Sequence, residues 1–293
     1  MKFDSLVRDC RVTNGRHFNL ADHDPANTDG IDAKEKAVEA LTKGVERLGE
    51  LQERLYAQNR WSVLIILQAM DAAGKDSAIK HVMSGLNPQS CEVHSFKTPS
   101  DEELDHDFLW RCACHLPRRG RIGIFNRSYY EETLVVKVHP ELLGHQKLPP
   151  VLVTKDLWSQ RYEDIRTFEQ HLVRNGTVVL KFFLNVSREE QRQRLLARLE
   201  EPAKNWKFSS ADLAERQRWD DYMAAYEETI RQTATKDAPW HVVPADHKWF
   251  TRLIIAETIT ARLKELDLAF PELPSSEQKM LKGARLALRA AKS

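Results

Sequence analysis

The stretch LIILQAMDAAGKDSAIKHVM, residues 64–83, decides the fold of this chain. It passes from an apolar run into a polar loop and then into a pattern typical of a helix. The loop nearly matches the phosphate-binding pattern G-x-x-x-x-G-K-[ST], with Ala69 at the first glycine and Asp76 at the hydroxyl position. Two carboxylates, Asp71 and Asp76, therefore stand in a loop of a type that binds anions.

Composition excludes several classes of protein. Among 293 residues, 44 Lys and Arg face 43 Asp and Glu, and this balance predicts no nucleic-acid or membrane-surface partner. No apolar run is long enough to span a bilayer, and the first residues do not resemble a secretory signal, so we expect a cytoplasmic protein. The four cysteines lack the spacing of a disulfide framework or a zinc site, and we interpret them as reduced thiols.

Apolar runs alternate with helical patterns along the chain. The runs typical of buried parallel strands are 62–68, 91–96, 121–126, 177–186 and 241–245. The helical patterns cover 33–58, 75–84, 101–115, 154–174, 187–200 and 211–234. This alternation predicts a three-layer α/β fold with a parallel sheet flanked by helices.

Three parts are expected along the chain. Residues 1–32 are irregular in pattern and predict an N-terminal arm, and residues 33–270 form the α/β domain. Residues 271–293 predict a basic tail helix. Two interpretations of the tail are open: a solvated or docked terminal helix, and a segment that binds a polyanion.

The loop meets the context test for phosphate binding because a strand precedes it and a helix follows it. Its backbone at Ala72, Ala73 and Gly74 would approach the anion closely, and Lys75 would neutralise charge that develops during transfer. The alternative is a strand, turn and helix that resemble the pattern by chance.

The carboxylates of the loop predict a metal ion. Asp71 and Asp76 would repel a phosphate chain unless divalent cations lay between them, and Mg²⁺ is usually held by one or two carboxylates plus phosphate oxygens. For Asp76 a second role is open, that of a carboxylate capping the start of the helix.

Polar residues follow the next strands at the same predicted edge of the sheet. Strand 121–126 ends in FNRSYYEE, where Asn126 can orient a metal-bound water and Arg127 can clamp phosphate. Glu131 and Glu132 are candidates for a further carboxylate at the metal or at the acceptor phosphate, with Glu132 predicted as a metal ligand. Lys97 follows strand 91–96 and is either a contact to a long anion or a solvated lysine.

A lid is predicted over residues 187–215. A helix carrying Arg194 and Arg198 follows strand 177–186, and a mobile segment at this point would close arginines over the transferring phosphate and exclude water. The alternative is a basic helix face that is simply solvated.

Several motifs in the same order make the sequence resemble the polyphosphate kinase 2 family. They are the loop itself, NPQSCEVHSFKTPSDEELDHDFLWR (87–111), FNRSYYEE (125–132), LEEPAKNWKFSSADLAERQRWDDYMAAYEETI (199–230) and APWHVVPADHKWF (238–250). The likeness extends from about residue 30 to about residue 270.

The resemblance implies a P-loop kinase fold with a helical lid, similar to thymidylate kinase. It implies an enzyme that moves phosphoryl groups between inorganic polyphosphate and nucleotides with Mg²⁺ or Mn²⁺, and it favours a homo-oligomer. Asp71, Lys75 and Asp76 match the loop triad of the family, and Asn126 with Arg127 match its second motif. The F-N-R-S form is similar to the branch that accepts AMP as well as ADP.

The sequence thus predicts a reversible, metal-dependent transfer from polyphosphate to AMP or ADP, with GMP and GDP as further candidate acceptors. The first alternative is an ATP-dependent nucleotide or small-molecule kinase of the same fold. The second is a non-catalytic module that binds a polyanion.

Overall fold

A computed structural model of the chain describes residues 4–31 and 34–290. The five predicted strands are all present, each within one residue of its predicted bounds at either end. A sixth, short strand precedes them. The strands are β1 (Arg11–Val12), β2 (Ser62–Gln68), β3 (Cys91–Ser95), β4 (Ile122–Asn126), β5 (Thr177–Asn185) and β6 (Trp240–Pro244).

The strands form one sheet in the order β1-β6-β5-β2-β4-β3. The five long strands run parallel, with Leu67 opposite Asn126 and Gln68 opposite Phe183. All seven residues of β2 are buried, as expected of a continuous apolar strand in the middle of a sheet covered on both faces. Because the strands are parallel, the segments that follow β2, β3 and β4 meet at one edge.

The N-terminal segment is more ordered than the pattern of residues 1–32 predicted. It contains the helix α1 (Asp4–Asp9) and β1, which pairs antiparallel with β6 so that Arg11 lies opposite His241. A strand of two residues is too short to show an alternating pattern, so sequence reasoning missed it. Residues 1–3 and 32 of this predicted arm lie outside the described residues.

The predicted helical stretches are present with two interruptions, whereas the long helix at Lys248–Lys264 and the short one at Val135–Val138 were not predicted. The α-helices after α1 are α2 (Lys34–Gln58), α3 (Lys75–Val82), α4 (Asp101–Leu104), α5 (Trp110–Ala113), α6 (Val135–Val138), α7 (Leu157–Arg174), α8 (Arg188–Glu200), α9 (Ser210–Gln217), α10 (Trp219–Thr233), α11 (Lys248–Lys264) and α12 (Ser275–Ala290). The predicted helix 101–115 is broken between α4 and α5, where the Asp107 carboxylate accepts a hydrogen bond from the Leu109 amide and starts a new turn. The predicted helix 211–234 is broken at Arg218.

Helices cover both faces of the sheet. α11 packs against α2 and α3, while α7 packs against β5 and α10. The prediction of a three-layer α/β fold is therefore confirmed, with the correction that β1 makes one edge of the sheet antiparallel. None of the described helices combines the length and the apolar character that a membrane span requires.

The C-terminal region leaves the sheet at the edge opposite the loop. α11 starts just after the carboxyl end of β6. Over its 17 residues it runs about 25 Å back toward the amino ends of the parallel strands. There the Gln58 side chain, just before β2 begins, donates to the Asp267 carbonyl at 3.3 Å. α12 follows, with every described residue exposed. Residues 291–293 of the predicted tail lie outside the described part.

Candidate active site

The loop between β2 and α3 has the backbone of an anion-binding turn. Ala72 and Gly74 both have positive φ, at 62° and 113°, and Gly74 stands immediately before the first residue of α3. A φ of 113° is a conformation that only glycine adopts without strain. Gly74 occupies the capping position, so Asp76 does not cap the helix with its side chain, although its carboxylate lies in the first turn, where its charge interacts favourably with the helix dipole.

Lys75 folds back over its own loop. Its Nζ atom donates to the carbonyl of Ala69 at 2.7 Å and to that of Met70 at 3.4 Å. The side chain lines a cavity beyond the carboxyl ends of the strands, yet it is largely buried. This burial lowers the pKa of its ammonium. Lys75 thus lies at the predicted site, with its Nζ atom bonded to the first residues of its own loop.

Two polar pairs join the loop to the end of β4. Arg127 Nη2 donates to Asp71 Oδ1 at 2.8 Å, and Asn126 Nδ2 donates to Asp76 Oδ1 at 2.8 Å. The two predicted motifs therefore meet at one edge, as parallel strands require. Each carboxylate of the loop already has one polar partner from the second motif.

Arg127 has an unusual backbone conformation. Its φ is 65°, in the left-handed region that an arginine adopts only when the surrounding structure imposes it. Its Nη1 atom also lies 3.5 Å from Glu131 Oε2. Glu131 and Asp71 together raise the pKa of the guanidinium, so the side chain keeps its positive charge.

These residues open onto a cavity of about 880 Å³ with a strongly basic lining. Its cations are Lys75, Lys97, Arg127, Arg194, Arg198, Lys204, Lys207 and Lys248, against the acids Asp71 and Asp76. Sequence reasoning did not select Lys248. The rule that ligands bind beyond the carboxyl ends of parallel strands, applied to β6, would have found it. An excess of cations of this size suits a polyanion.

Arg194 has a different set of partners from the one predicted. It donates to the Glu190 carboxylate, to the carbonyls of Ala72 and Ala73 in the loop, and to the carbonyls of Ala245 and Asp246 after β6. These bonds use all five N–H donors of a guanidinium. Arg194 therefore holds the loop backbone instead of offering free donors to phosphate.

Arg198 lies one turn further along α8 and also lines the cavity. Its Nη1 atom donates at 2.6 Å to the Oδ2 atom of Asp212, which is a residue of α9. Burial, followed by the nearby charge of Asp71, raises the pKa of the Asp212 carboxyl. The pair ties α8 to α9 across the predicted lid.

Glu132 does not join the loop carboxylates. It lies 3.0 Å from Arg161 Nε and accepts a hydrogen bond from Gln146 at 2.7 Å, and burial raises its pKa. The structure therefore separates Glu132 from Asp71 and Asp76, with which the sequence had grouped it as a metal ligand. The reason is local: Tyr129–Glu132 is a 3-10 turn, which aims neighbouring side chains in different directions.

A second cavity of about 270 Å³ adjoins the first. Lys97, Thr98 and Arg127 line both cavities. Most of its wall surface is apolar, with Leu104, Phe108, Val135, Val136 and Leu142 among the lining residues, and it also includes charged side chains such as Glu103, Arg111, Glu131 and Glu132. A concave wall that combines apolar surface with placed polar groups is typical of sites for small organic ligands.

Comparisons with known proteins agree on one family. The family model described as Polyphosphate kinase 2 (PPK2) matches residues 31–271. An ADP-polyphosphate phosphotransferase of Rhodopseudomonas palustris is 52% identical, over 92% of this chain and 94% of the relative. An AMP/ADP-polyphosphate phosphotransferase of Meiothermus ruber is 42% identical, over 92% of this chain and 98% of the relative.

A solved structure is similar over nearly the whole chain. The crystal structure of polyphosphate kinase 2 from Arthrobacter aurescens covers 94% of this chain and 95% of its own, at 39% sequence identity and a TM-score of 0.85. Both the sequence motifs and the spatial arrangement of strands and helices are therefore shared with one group of enzymes.

Proposed function

This chain belongs to the polyphosphate kinase 2 family, and from that premise we propose that it transfers a phosphoryl group from inorganic polyphosphate to AMP or ADP. The similar proteins of Rhodopseudomonas palustris and Meiothermus ruber carry the names of such phosphotransferases. The observation that carries the proposal is the pair of adjoining cavities, one basic and one mostly apolar, that share Arg127. A polyanion and a nucleoside would meet there.

The donor set of the loop fits a divalent cation that binds together with phosphate. Asp71 and Asp76 line the basic cavity, and one or two carboxylates plus phosphate oxygens are the usual ligands of Mg²⁺. Within the described residues, no group of three or more His, Cys, Asp or Glu side chains is arranged to hold a metal. We therefore propose Asp71 and Asp76 as ligands of Mg²⁺ or Mn²⁺, with Asn126 holding Asp76 in place.

The residues of the chain act by position and charge. The terminal phosphate of the polyphosphate lies beside Lys75 and Arg127, and a phosphate oxygen of the acceptor attacks its phosphorus in line. The bond to the next phosphate of the chain breaks, so the polyphosphate becomes one unit shorter. A divalent cation held by Asp71 and Asp76 would neutralise charge on the phosphate oxygens. No protein nucleophile is required.

Both donor and product contain phosphoanhydride bonds, so the transfer is reversible and its direction depends on concentrations.

We further propose that residues 187–215 form a lid, because Arg198, Lys204 and Lys207 from this segment line the basic cavity. The homo-oligomer and the cytoplasmic location stay predictions, and light scattering of the purified protein tests the first.

The decisive experiment is an ATP-free assay. Purified protein, polyphosphate and Mg²⁺ are mixed with AMP, ADP, GMP or GDP, and nucleoside diphosphates and triphosphates are separated by chromatography. We expect turnover with AMP or ADP, and a loss of at least about 100-fold in Lys75→Met and Asp71→Asn.

Two outcomes would contradict the proposal. Turnover with ATP as donor but none with polyphosphate would favour an ordinary nucleotide or small-molecule kinase. Binding of polyphosphate without turnover, under both Mg²⁺ and Mn²⁺, would favour a non-catalytic module.

A further inference from the structure

A closed cluster of polar side chains lies under the second motif, inside the core. Lys181 of β5 and Glu169 of α7 have side chains 0% and 1% exposed, with Lys181 Nζ 2.6 Å from Glu169 Oε2. The other carboxylate oxygen, Oε1, accepts hydrogen bonds from the hydroxyls of Tyr129 at 2.9 Å and Tyr130 at 2.7 Å. One buried carboxylate thus binds two consecutive tyrosines.

The cluster has no donor to spare for a ligand. Lys181 Nζ also donates to the Tyr130 hydroxyl at 3.0 Å and to the Thr233 carbonyl at 2.9 Å, which uses its three N–H groups. Burial raises the pKa of both tyrosines well above the ordinary value, so their hydroxyls stay protonated donors. Apolar side chains of similar volume would fill the same space without a desolvation penalty. What the hydrogen bonds of this cluster add is a fixed orientation of the two tyrosine side chains.

The two tyrosines follow the strained residue Arg127, with only Ser128 between them. Arg127, two residues before Tyr129, has a φ of 65°, and such a conformation persists only where its surroundings fix it. On the strand side, the Arg127 amide donates to the Leu67 carbonyl at 3.1 Å. Beyond Arg127, the Ser128 hydroxyl accepts from the Tyr130 amide, and the tyrosine hydroxyls end on Glu169.

We propose that Glu169, held by Lys181, is a positioning residue for phosphoryl transfer. Through the hydroxyls of Tyr129 and Tyr130 it fixes the turn that aims the Arg127 guanidinium at Asp71 and the basic cavity. This inference rests on the proposed function. Glu169 itself lies in the core and is absent from the linings of both cavities, so it acts only through the turn.

The test removes the two hydroxyls and leaves the rings. In the double variant Tyr129→Phe with Tyr130→Phe, we expect kcat for AMP and polyphosphate to fall about tenfold, with KM for polyphosphate within about twofold. The control is Tyr162→Phe, which removes the hydroxyl of another buried tyrosine, one that accepts a hydrogen bond from Lys137. The control should keep wild-type kcat, and equal losses in the two proteins would overturn the proposal.

A double-mutant cycle separates positioning from a general loss of structure. If the tyrosines act through Arg127, adding both Tyr→Phe changes to Arg127→Ala lowers kcat no further than Arg127→Ala alone. If the same tenfold loss appears in the Arg127→Ala background, the tyrosines act on something else and the proposal fails.

A readout without turnover keeps the inference independent of the proposed function. In a crystal structure of the double Tyr→Phe variant, we expect Arg127 to leave the left-handed region or to lose its 2.8 Å contact with Asp71. An unchanged Arg127 would overturn the positioning role even if the wild-type protein were active. If the wild-type protein were inactive and Arg127 were displaced in the variant, the proposed reaction would be wrong but the positioning role would stand.

Discussion

The guanidinium of Arg127 and the carboxylate of Asp71 form an ion pair of 2.8 Å between two separate motifs. Both groups are partly exposed, at 36% and 27%, and both line the basic cavity. In the absence of substrate each balances the charge of the other. Under the proposed function, a phosphate chain that enters with a cation would give each of them a new partner: Arg127 would bind the phosphate and Asp71 the cation.

The proposed metal ligand Asp71 predicts a specific change in metal dependence. For Asp71→Asn we expect the Mg²⁺ concentration at half-maximal rate to rise about tenfold or more, because one anionic ligand is lost. Titrating MgCl₂ against initial rate measures this value, and EDTA should abolish activity until Mg²⁺ is restored. Asp237→Asn, an exposed aspartate on the loop before β6, is the control. An unchanged Mg²⁺ requirement in Asp71→Asn would remove Asp71 from the metal site.

The role of Arg194 is separable from that of its neighbour Arg192 on the same helix. Arg194→Lys replaces five donors by three, so at least two of its acceptors lose their partner, which costs about 2 kcal/mol or more. We expect a lower urea midpoint and a kcat reduced about tenfold as the loop shifts. Arg192, exposed and paired with Glu189, should tolerate the same change within about 0.5 kcal/mol. Similar behaviour of both variants would argue against the loop-holding role.

Gly74→Ala isolates backbone strain in the loop. An added Cβ would lie 3.8 Å from the nearest atom, Arg194 Nη1, so it meets no clash, and the cost comes from the φ of 113°. We expect a loss of about 1–2 kcal/mol in stability and weaker polyphosphate binding by calorimetry. Gly283→Ala in exposed α12, with open space around it, should raise helicity by circular dichroism and leave binding unchanged. Full binding by Gly74→Ala would show that the loop relaxes without cost.

His241 makes stability depend on pH. Burial lowers its pKa to about 3, whereas in the unfolded chain the imidazole takes up a proton near the ordinary value of 6.5. Below that value the unfolded state binds more protons, so stability falls as pH decreases, by about 1.4 kcal/mol per pH unit from this residue. Between pH 7 and pH 5, the free energy of unfolding measured in urea should fall by about 2 kcal/mol more in the wild type than in His241→Gln. Equal differences in the two proteins would assign the effect to other groups.

The parts of the fold that sequence predicted share one property, a signal carried by consecutive residues. β2 and β5 are continuous apolar runs, and the parallel arrangement then brings Asn126 and Arg127 to the same edge as Asp71. The break between α4 and α5 was missed because it depends on one side-chain bond of Asp107.

The missed parts of the site depend on distant partners. Arg194 contacts carbonyls more than 50 residues and 120 residues away along the chain, and no local pattern distinguishes it from a solvated arginine. Glu132 lies apart from the other predicted metal ligands because a tight turn directs its side chain toward Arg161. Glu169 and Lys181 looked like ordinary polar residues within a helix and a strand, and only their burial reveals their connection to the second motif.

The far position of α12 has a practical consequence for handling the enzyme. The chain reaches α12 from the end of the strands opposite the basic cavity, and no described side chain of the helix is buried. A fusion partner or a solid support joined there would stand clear of incoming substrate. Shortening the chain before Ser275 would remove no packed surface, so the catalytic body should remain folded without it.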